Sequence, residues 1–448
     1  MSRRLTRVVR VAMIAALALT ASALVTTRSA PPAAASPCGN GGTGSSQLGS
    51  SGSSTGSLGS SGSNGLGSSN VPNWGPQGPL VPFVNVSTRT VGWVTGPLSV
   101  NRTFSRFGIS GTDLGISWDN GSGQTLMAFG DTFGNCNTGG QQWRHNVLLR
   151  TDDDRLADGI RVPDGVAGDV HSGSVINAGQ PDFAQELIPA VGVDYIEVTT
   201  IPTAAIAIER PGGGFRQYIN YMSVRSWGTA GNWVTNFSAI AYSDNNGQTW
   251  TTDQSTIRVN SPLTVPLPPP FPEVQYNNGK FQQSAYTRGR PDDAAEREYV
   301  YQFGTPNGRF GAGFLARVEP EDILSLDRYQ YWNGTTWIDD IAAIPDNGAA
   351  IVVPAPVTEL SVSWSPYLKK YVMLDGDNEV SLRTADHPQG PWSARKTLVP
   401  SGAVVIYAPM MLPQSPALRG TGPELYFNAS RWSDYNVMLL RADLSRVR

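Results

Sequence analysis

Two aspartates that could do acid/base chemistry lie eighteen residues apart, in segments where polar residues are concentrated among glycines and aromatics. Asp113 belongs to the segment GISGTDLGISW and Asp131 to the segment AFGDTFG. Glycoside hydrolysis requires such a pair, because one carboxyl group acts as general acid while the other acts as base or nucleophile. A single aspartate in a β protein is more often a turn residue that bonds nearby N–H groups. We interpret the pair as a candidate catalytic centre, reached from two neighbouring strands of one sheet.

Asp131 is the less turn-like of the two, because Phe129 and Phe133 frame it. A partly desolvated carboxyl group there would have a raised pKa, as a general acid needs. Glu359 is a third candidate, since it interrupts the otherwise β-like segment VTELSVSW. An outward-facing strand residue is an equally good interpretation of Glu359.

Four aromatic side chains could supply flat surfaces on which the CH groups of a sugar pack. They are Trp227, Trp233, Tyr407 and Trp432. Aromatic residues of this kind belong more often to the core or to the rim of a fold. Sugar stacking and ordinary packing therefore both remain open for them.

The elements that must position these residues are short strands. Segments rich in aromatic and β-branched residues recur along the chain, and Gly, Asn, Asp and Pro separate them. The segments we expect to be strands are 124–129, 195–199, 215–222, 298–303, 371–374 and 424–427. Helical periodicity is nearly absent, with short helical turns possible at 292–298 and 320–326. The pattern predicts an all-β fold, and a propeller suits a long all-β chain without a visible split into two domains.

One local motif narrows the architecture. Residues 243–250, SDNNGQTW, fit the Asp-box pattern Ser-x-Asp-x-Gly-x-Thr-Trp, with Asn245 in the acidic position. We expect a hairpin turn in which Gly247 takes the positive φ and Trp250 packs beneath. Such turns are common in propeller glycosidases, but the motif is structural and predicts no catalysis.

The composition excludes several classes of function. The 448 residues include 33 Lys and Arg, 36 Asp and Glu, and only 15% charged residues, which argues against long helices or a charged disordered chain. Without the first 35 residues, which hold five arginines, 28 basic residues face 36 acidic ones. A chain with this excess of acidic residues lacks the net positive charge that favours binding to nucleic acid or to anionic lipid. Three scattered histidines and two cysteines also make a zinc site unlikely on composition, and we predict neither a metal nor an organic cofactor.

The N-terminal part predicts export. Residues 1–35 combine four early arginines, a mostly apolar run over 11–25 and three alanines before Ser36, which is typical of a signal peptide. Residues 36–73 are mainly Gly and Ser and predict a disordered linker, so the folded domain should span 74–448. Outside the cell, Cys38 and Cys136 could form a disulfide, the alternative being two free thiols. We expect a secreted or envelope protein without a stable membrane span.

Several motifs taken together resemble one family, glycoside hydrolase family 183. The matching segments are GDTFG (130–134), WRHNV (143–147), NWVTNFS (232–238), FGTPNGRFG (303–311), LARV (315–318), ELSV (359–362), LRTA (382–385), GPWS (390–393) and YNV (435–437). Members of that family are exported endo-D-arabinanases with a five-bladed propeller fold, acting on mycobacterial arabinogalactan and lipoarabinomannan.

The resemblance implies that Asp113 and Asp131 are the paired active-site aspartates. It also implies that Arg144, Asn146 and Arg309 could bind arabinofuranose hydroxyls, with Arg309 equally suited to anchoring one blade to the next. The expected partner is a D-arabinan polysaccharide. A glycan-binding propeller without catalysis is the main alternative, and a sialidase is weaker because its arginine cluster cannot be placed in the sequence.

Overall fold

A computed structural model of the chain describes residue 38 and residues 72–75, 77–261 and 274–447. The expected signal peptide, most of the linker and the proline-rich run at 262–272 lie outside the described residues. In the part that is described, no helix is long and apolar enough to cross a bilayer.

The fold is a five-bladed β-propeller, as the sequence and its resemblance predicted. Strand β1 (Thr88–Trp93) and helix α1 (Thr103–Phe107) precede the first complete blade. Blade 1 contains β2 (Leu114–Asp119), β3 (Thr125–Phe129) and β4 (Val147–Thr151), followed by the hairpin of β5 (Ile176–Asn177) and β6 (Gln180–Ala184). Blade 2 contains β7 (Thr199–Glu209), β8 (Phe215–Trp227), β9 (Trp233–Ser243) and β10 (Thr251–Val259).

The remaining blades follow in order along the chain. Blade 3 contains β11 (Gln283–Arg288), β12 (Val300–Thr305), β13 (Phe314–Val318), β14 (Gln330–Trp332) and β15 (Trp337–Ile338). Blade 4 contains β16 (Leu360–Ser365), β17 (Lys370–Asp375), β18 (Val380–Ala385) and β19 (Lys396–Val399). Blade 5 contains β20 (Ile406–Met411), β21 (Glu424–Arg431) and β22 (Asn436–Asp443), with helix α2 (Pro416–Arg419) between β20 and β21. Short 3₁₀ turns occupy Gly139–Gln142, Leu156–Asp158, Tyr276–Phe281, Pro320–Asp322, Leu326–Arg328, Ile341–Ala343 and Leu444–Arg446.

The ring closes at blade 5, where β1 from the start of the domain pairs antiparallel with β22 from its end. The innermost strands β2, β7, β11, β16 and β20 contact one another in a closed cycle around the axis. This closure joins the two ends of the domain by backbone hydrogen bonds.

Apolar side chains hold the blades together. Five clusters of buried residues each lie between two neighbouring blades, as where Leu374 of blade 4 packs with Phe427 of blade 5. Both faces of a blade are therefore covered, which explains why strands such as β22 are hydrophobic almost throughout. A sixth cluster, including Leu114, Met222 and Met410, draws on blades 1, 2 and 5 at one end of the axis.

The Asp-box turn is confirmed. It joins β9 to β10, and Gly247 has a φ of 77°. The Asn245 Oδ1 accepts from the Thr249 backbone N–H at 2.9 Å, and Trp250 Nε1 donates to the Gly247 carbonyl at 3.0 Å. The strand directions place this turn at the end of blade 2 opposite to the start of β7.

Two expectations about individual elements are wrong. Residues 194–196 form a turn in which Tyr195 has a φ of 64°, and the strand begins only at Thr199. The sequence of β7, TTIPTAAIAIE, contains a proline and several alanines, so strand propensity did not identify it. Residues 292–298 form turns, whereas 320–322 form a single 3₁₀ turn.

Candidate active site

The candidate site lies at the end of the propeller where the innermost strands begin. The strands are antiparallel, so the connections between second and third strands reach the same end. Asp113 and Glu359 immediately precede the innermost strands of blades 1 and 4, and Tyr407 is the second residue of β20. Asp131 and Arg309 lie in the second connections of blades 1 and 3. All five therefore meet because equivalent parts of different blades converge on one end of the axis.

Asp113 is held by one hydrogen bond and keeps one oxygen free. Tyr407 donates its hydroxyl proton to Asp113 Oδ2 at 2.9 Å, while the buried Oδ1 has no hydrogen-bond partner. Burial and then the charge of Asp131 raise the pKa of Asp113 to about 7, against the lowering effect of the Tyr407 bond. The residue as a whole is partly exposed, although its Oδ1 atom is buried.

Gly130 makes room for the Asp113 carboxyl group. A Cβ at position 130 would lie 2.4 Å from Asp113 Oδ1, which no side chain could occupy without displacing the carboxylate. The glycine lets the residue before Asp131 approach Asp113 closely. The contact links the two segments that carry the acids.

Asp131 is almost completely buried, with 1% of its surface exposed. Two neutral donors bond the same oxygen, Oδ1: Trp143 Nε1 at 2.9 Å and the Thr199 hydroxyl at 2.7 Å. Neither bond involves Oδ2. Burial raises the pKa of Asp131 to about 7, although both hydrogen bonds lower it, and the charge of Glu186 adds to the rise. A carboxyl group in this environment can hold a proton at neutral pH.

Glu359 lies in an ion pair with Arg309. The guanidinium Nη2 lies 2.6 Å from Glu359 Oε1 and Nε lies 2.9 Å from Oε2, so the contact is bidentate. The same guanidinium lies 3.9 Å from Asp377. Arg309 belongs to blade 3 and both acids belong to blade 4, so the arginine joins the two blades. These contacts match the anchoring alternative for Arg309 and leave Glu359 charge-compensated.

Aromatic rings surround the acids and Arg309. The rings of Tyr407 and Trp432 lie 4.2 Å apart, and the Arg309 guanidinium lies 4.9 Å from each of them. Trp227 and Trp233 form an edge-to-face pair at 5.7 Å. Tyr407 and Trp233 are buried, whereas Trp227 and Trp432 are partly exposed and present ring surface at this end.

Arg144 and Asn146 point away from this site. Arg144 donates to the backbone carbonyls of Phe107, Gly108 and Ala184, and its guanidinium stacks on a phenylalanine ring. The Asn146 amide bonds backbone atoms around Ile188 and the strand start at 200. Both side chains are buried and secure loops, so we propose no substrate contact for either.

Cys38 and Cys136 form a disulfide. Cys136 lies in the connection between β3 and β4 that also carries Asp131, and its backbone N–H donates to the Asn73 carbonyl at 2.7 Å. The bond therefore ties a residue from before the propeller to a loop of the candidate site.

Several residues of the site were not identified from the sequence as functional. They are Trp143, His145, Glu186, Thr199, Asp377 and Tyr435. Trp143 and His145 flank Arg144 in the motif WRHNV (143–147), and this proximity in sequence is the signal that could have identified them. Thr199 and Glu186 come from segments without local signal, because only the packing of blade 2 against blade 1 brings them to Asp131.

One group of potential metal ligands lies elsewhere in the described residues, at the end of blades 3 and 4 opposite to the candidate site. Single ligand atoms of Asp293, Glu296 and His387 lie within 4.8 Å of one another. The buried Glu296 already accepts from Tyr371 at 2.7 Å and contacts His387 at 2.6 Å, while Arg290 pairs with Asp293 at 2.6 Å. This network is internally paired, as a structural tie between blades would be.

The comparisons define the family. Residues 98–441 match the family described as Domain of unknown function (DUF4185), and the chain belongs to that family. Notoamide biosynthesis cluster protein J of Aspergillus sp. (strain MF297-2) is 26% identical over 347 residues, covering 73% of this chain and 81% of the fungal protein. Its counterpart J′ of Aspergillus versicolor is 25% identical over 341 residues, covering 73% and 82%.

Solved structures with a related architecture include carbohydrate-active enzymes. A glycosyl hydrolase from Bacteroides ovatus has a TM-score of 0.42 and 12% identity, covering 80% of this chain and 93% of the other. The arabinanase of Bacillus subtilis has a TM-score of 0.40 and 10% identity, covering 75% and 96%. Similarity this low transfers no activity, and function must be argued from the side chains of the site.

Proposed function

We propose that this protein is a glycoside hydrolase that cleaves internal α-D-arabinofuranosyl linkages in cell-wall D-arabinan, as members of glycoside hydrolase family 183 do. The observation that carries the proposal is the pair of buried acids, Asp113 and Asp131, whose pKa values are both raised to about 7. Two such groups whose charges interact favour a state with one proton between them near neutral pH. That state provides an acid and a base at the same time.

Asp131 is the general acid in this proposal. Its Oδ1 accepts hydrogen bonds from the Trp143 indole N–H and from the Thr199 hydroxyl, so in this arrangement a proton on the carboxyl group belongs on Oδ2. Oδ2 then delivers that proton to the oxygen of the leaving sugar as the glycosidic bond breaks. Burial keeps the proton on the group until that step.

Asp113 is the base or nucleophile. Its Oδ1 is buried and accepts no hydrogen bond from the described residues, so in this scheme it is the oxygen that takes the proton of an attacking water or bonds the anomeric carbon. The Tyr407 bond to Oδ2 favours the ionised form and fixes the plane of the carboxylate. Glu359 does not act on substrate in this scheme, because Arg309 occupies both of its oxygens.

The substrate class is a neutral polysaccharide. Trp227 and Trp432 keep partly exposed rings at the site, and such rings pack well against the CH face of a sugar. The excess of acidic over basic residues, 36 to 33, is compatible with a neutral glycan and does not favour nucleic acid. The signal-like N-terminus and the cysteine pair fit a protein that works outside the cytoplasm, where its glycan would be.

The test is oligosaccharide release from mycobacterial-type arabinogalactan by the purified protein. We expect oligoarabinosides from the wild type and at least about a thousandfold less from Asp113→Asn and Asp131→Asn, as loss of a general acid or base implies. Asp154→Asn, which changes an exposed acid just beyond β4, at the opposite end of that strand from the site, is the matched control and should retain full activity.

Two outcomes would contradict the proposal. Binding of the polysaccharide without release of product would favour the alternative of a glycan-binding propeller. Release that survives in both Asn variants would place the chemistry on other residues. Thermal unfolding of each variant, measured at the assay pH, shows whether lost activity reflects chemistry or lost structure.

A further inference from the structure

A string of hydrogen-bonded side chains extends behind Asp131, away from the candidate substrate. The Thr199 hydroxyl donates to Asp131 Oδ1 at 2.7 Å, and Nδ1 of His145 lies 3.2 Å from that hydroxyl oxygen. The other ring nitrogen of His145 lies 3.8 Å from a Glu186 carboxylate oxygen. His145 and Thr199 are 1% and 0% exposed, so water does not compete for these bonds.

The direction of these bonds follows from counting protons. A hydroxyl group has one proton, and Asp131 can only accept it at Oδ1 when its own proton is on Oδ2, as proposed. The Thr199 oxygen then acts as acceptor toward His145, which requires a proton on Nδ1, and a second proton on Nε2 would face the Glu186 carboxylate. If Nδ1 carried no proton, the imidazole nitrogen would compete with Asp131 for the single hydroxyl proton of Thr199.

We propose that His145 is a positioning residue for the catalytic acid, acting through Thr199. Its Nδ1–H holds the Thr199 hydroxyl so that the proton points to Asp131 and both donors stay on Oδ1. The free oxygen of Asp131, which carries the transferred proton, is thereby kept on the side away from Thr199. This inference rests on the proposed role of Asp131 as general acid.

Glu186 and Trp143 hold the imidazole in place. The Glu186 carboxylate accepts from the His145 backbone N–H at 2.9 Å and faces the ring nitrogen that is turned away from Thr199. The Trp143 indole packs edge-to-face against the imidazole at 4.4 Å while its own N–H bonds Asp131. The loop between β3 and β4 thus supplies the acid, one of its donors and the residue that orients the other donor.

The experiment uses the pH dependence of kcat/KM on arabinogalactan. Asp131 must be protonated to act as general acid, so its pKa sets the pH at which kcat/KM falls on the alkaline side of the profile. Because the Thr199 bond lowers that pKa, losing the bond should move the limb to higher pH. The titratable groups that face Asp131 are Asp113, Glu186, His145 and Tyr435, and none of them is altered in the control variant Thr199→Val.

His145→Asn and His145→Gln separate the positioning role from packing. The Asn amide can place an N–H where Nδ1 was, whereas the longer Gln amide places it near the other ring nitrogen. We expect His145→Asn to keep the alkaline limb of the kcat/KM profile at its wild-type pH. We expect His145→Gln to move that limb to higher pH by about half a pH unit or more, with roughly a tenfold loss of kcat. The shift should equal that of Thr199→Val, and the double variant His145→Gln/Thr199→Val should show no further shift.

The outcomes distinguish this inference from the proposed function. Full activity of Asp131→Asn would overturn the proposed function and this inference with it. An inactive Asp131→Asn together with an unmoved limb in His145→Gln would overturn only the role of His145. Additive shifts in the double variant would also overturn it, because the two residues would then act on Asp131 independently.

Discussion

Blades 1 and 4 carry acids at the same two topological positions and use them differently. In each blade one acid immediately precedes the innermost strand, Asp113 in blade 1 and Glu359 in blade 4. In each blade a second acid is the second residue after the second strand, Asp131 in blade 1 and Asp377 in blade 4. The backbone of the propeller therefore presents two equivalent pairs of carboxyl groups to the same end of the axis.

The difference between the pairs is the source of their hydrogen bonds. Arg309 reaches both acids of blade 4, at 2.6 Å from Glu359 and 3.9 Å from Asp377. The groups that bond the acids of blade 1 are the neutral donors Tyr407, Trp143 and Thr199. A compensated pair serves as a tie between blades, whereas a buried pair with neutral donors is able to hold and release a proton.

Removal of the cation that pairs with the acids of blade 4 should have the largest effect. Arg309→Met leaves the buried Glu359 without its partner while keeping a side chain of similar length against Trp432 and Tyr407. We expect a loss of about 3–5 kcal/mol in the free energy of unfolding, as for other buried ion pairs from which one partner is removed. Urea denaturation at pH 7 measures it.

The companion variant Arg309→Met/Glu359→Gln sharpens this result. Removing the negative charge together with the positive one should recover part of the lost stability, because no unpaired charge then remains at position 359. A single variant as stable as the wild type would mean that blade 4 does not depend on Arg309 and that the contrast with blade 1 is not one of charge compensation.

The pH dependence of stability should distinguish the uncompensated pair. The pKa of Asp131 is about 7 in the folded protein and near its ordinary value of 3.8 in the unfolded chain, so well below pH 4 the group is protonated in both states. Between pH 4 and 7 the unfolded chain releases this proton and the folded chain keeps it, so the wild type loses stability as pH rises. The Asn side chain of Asp131→Asn does not titrate. The free energy of unfolding of this variant should therefore exceed that of the wild type by an amount that grows from near zero at pH 4 to at most about 4 kcal/mol at pH 8.

Thermal unfolding in buffers from pH 4 to 8 measures that difference. Glu359→Gln is the matched variant in blade 4, and it should be less stable than the wild type at neutral pH because it leaves Arg309 without a carboxylate. A difference between Asp131→Asn and the wild type that does not change with pH would show that Asp131 is ionised normally in the folded protein.

A single methyl group should disturb blade 1 more gently. In Gly130→Ala the new Cβ would lie 2.4 Å from Asp113 Oδ1 and must push the carboxylate aside. We expect roughly a hundredfold lower kcat/KM on arabinogalactan, since a displacement of about 1 Å is enough for such a loss. Gly92→Ala, where the added Cβ meets no atom within 4 Å, is the control and should keep its activity. Equal activity of both variants would argue against a catalytic position for Asp113.

The sequence predicted the parts of this arrangement that are local. The all-β fold, the Asp-box turn and the two aspartates in glycine-rich segments all follow from residue types within a few positions of one another. The number of blades came from the resemblance, since no regular repeat is visible in the sequence. The convergence of Glu359, Arg309 and Tyr407 depends on blades 3, 4 and 5 closing a ring, which no local pattern encodes.

The differences between the expected and the observed surroundings of Arg144 and Asn146 have the same origin. Arg144 and Asn146 stand next to site residues in the sequence, but neighbouring residues of an extended segment point to opposite sides. Their side chains therefore bond backbone carbonyls beneath the loop while Trp143 and His145 face Asp131. The start of β7 was missed because its alanines and proline give little strand propensity, and with it Thr199 was missed.

The smallest expected effect comes from comparing a hydrogen-bond donor to an acid of blade 1 with a donor to an acid of blade 4. Tyr407→Phe removes the hydroxyl that lowers the pKa of Asp113 but keeps the ring against Trp432 and Arg309. If Asp113 is the base, the acid limb of the pH–rate profile should move to higher pH by less than about one unit, with a stability loss of about 1 kcal/mol. Trp432→Phe removes the equivalent donor to Asp377, 3.3 Å away, and should leave that limb in place because Arg309 still compensates blade 4. A shift to lower pH in Tyr407→Phe, or an equal shift in both variants, would contradict the assignment of the base to blade 1.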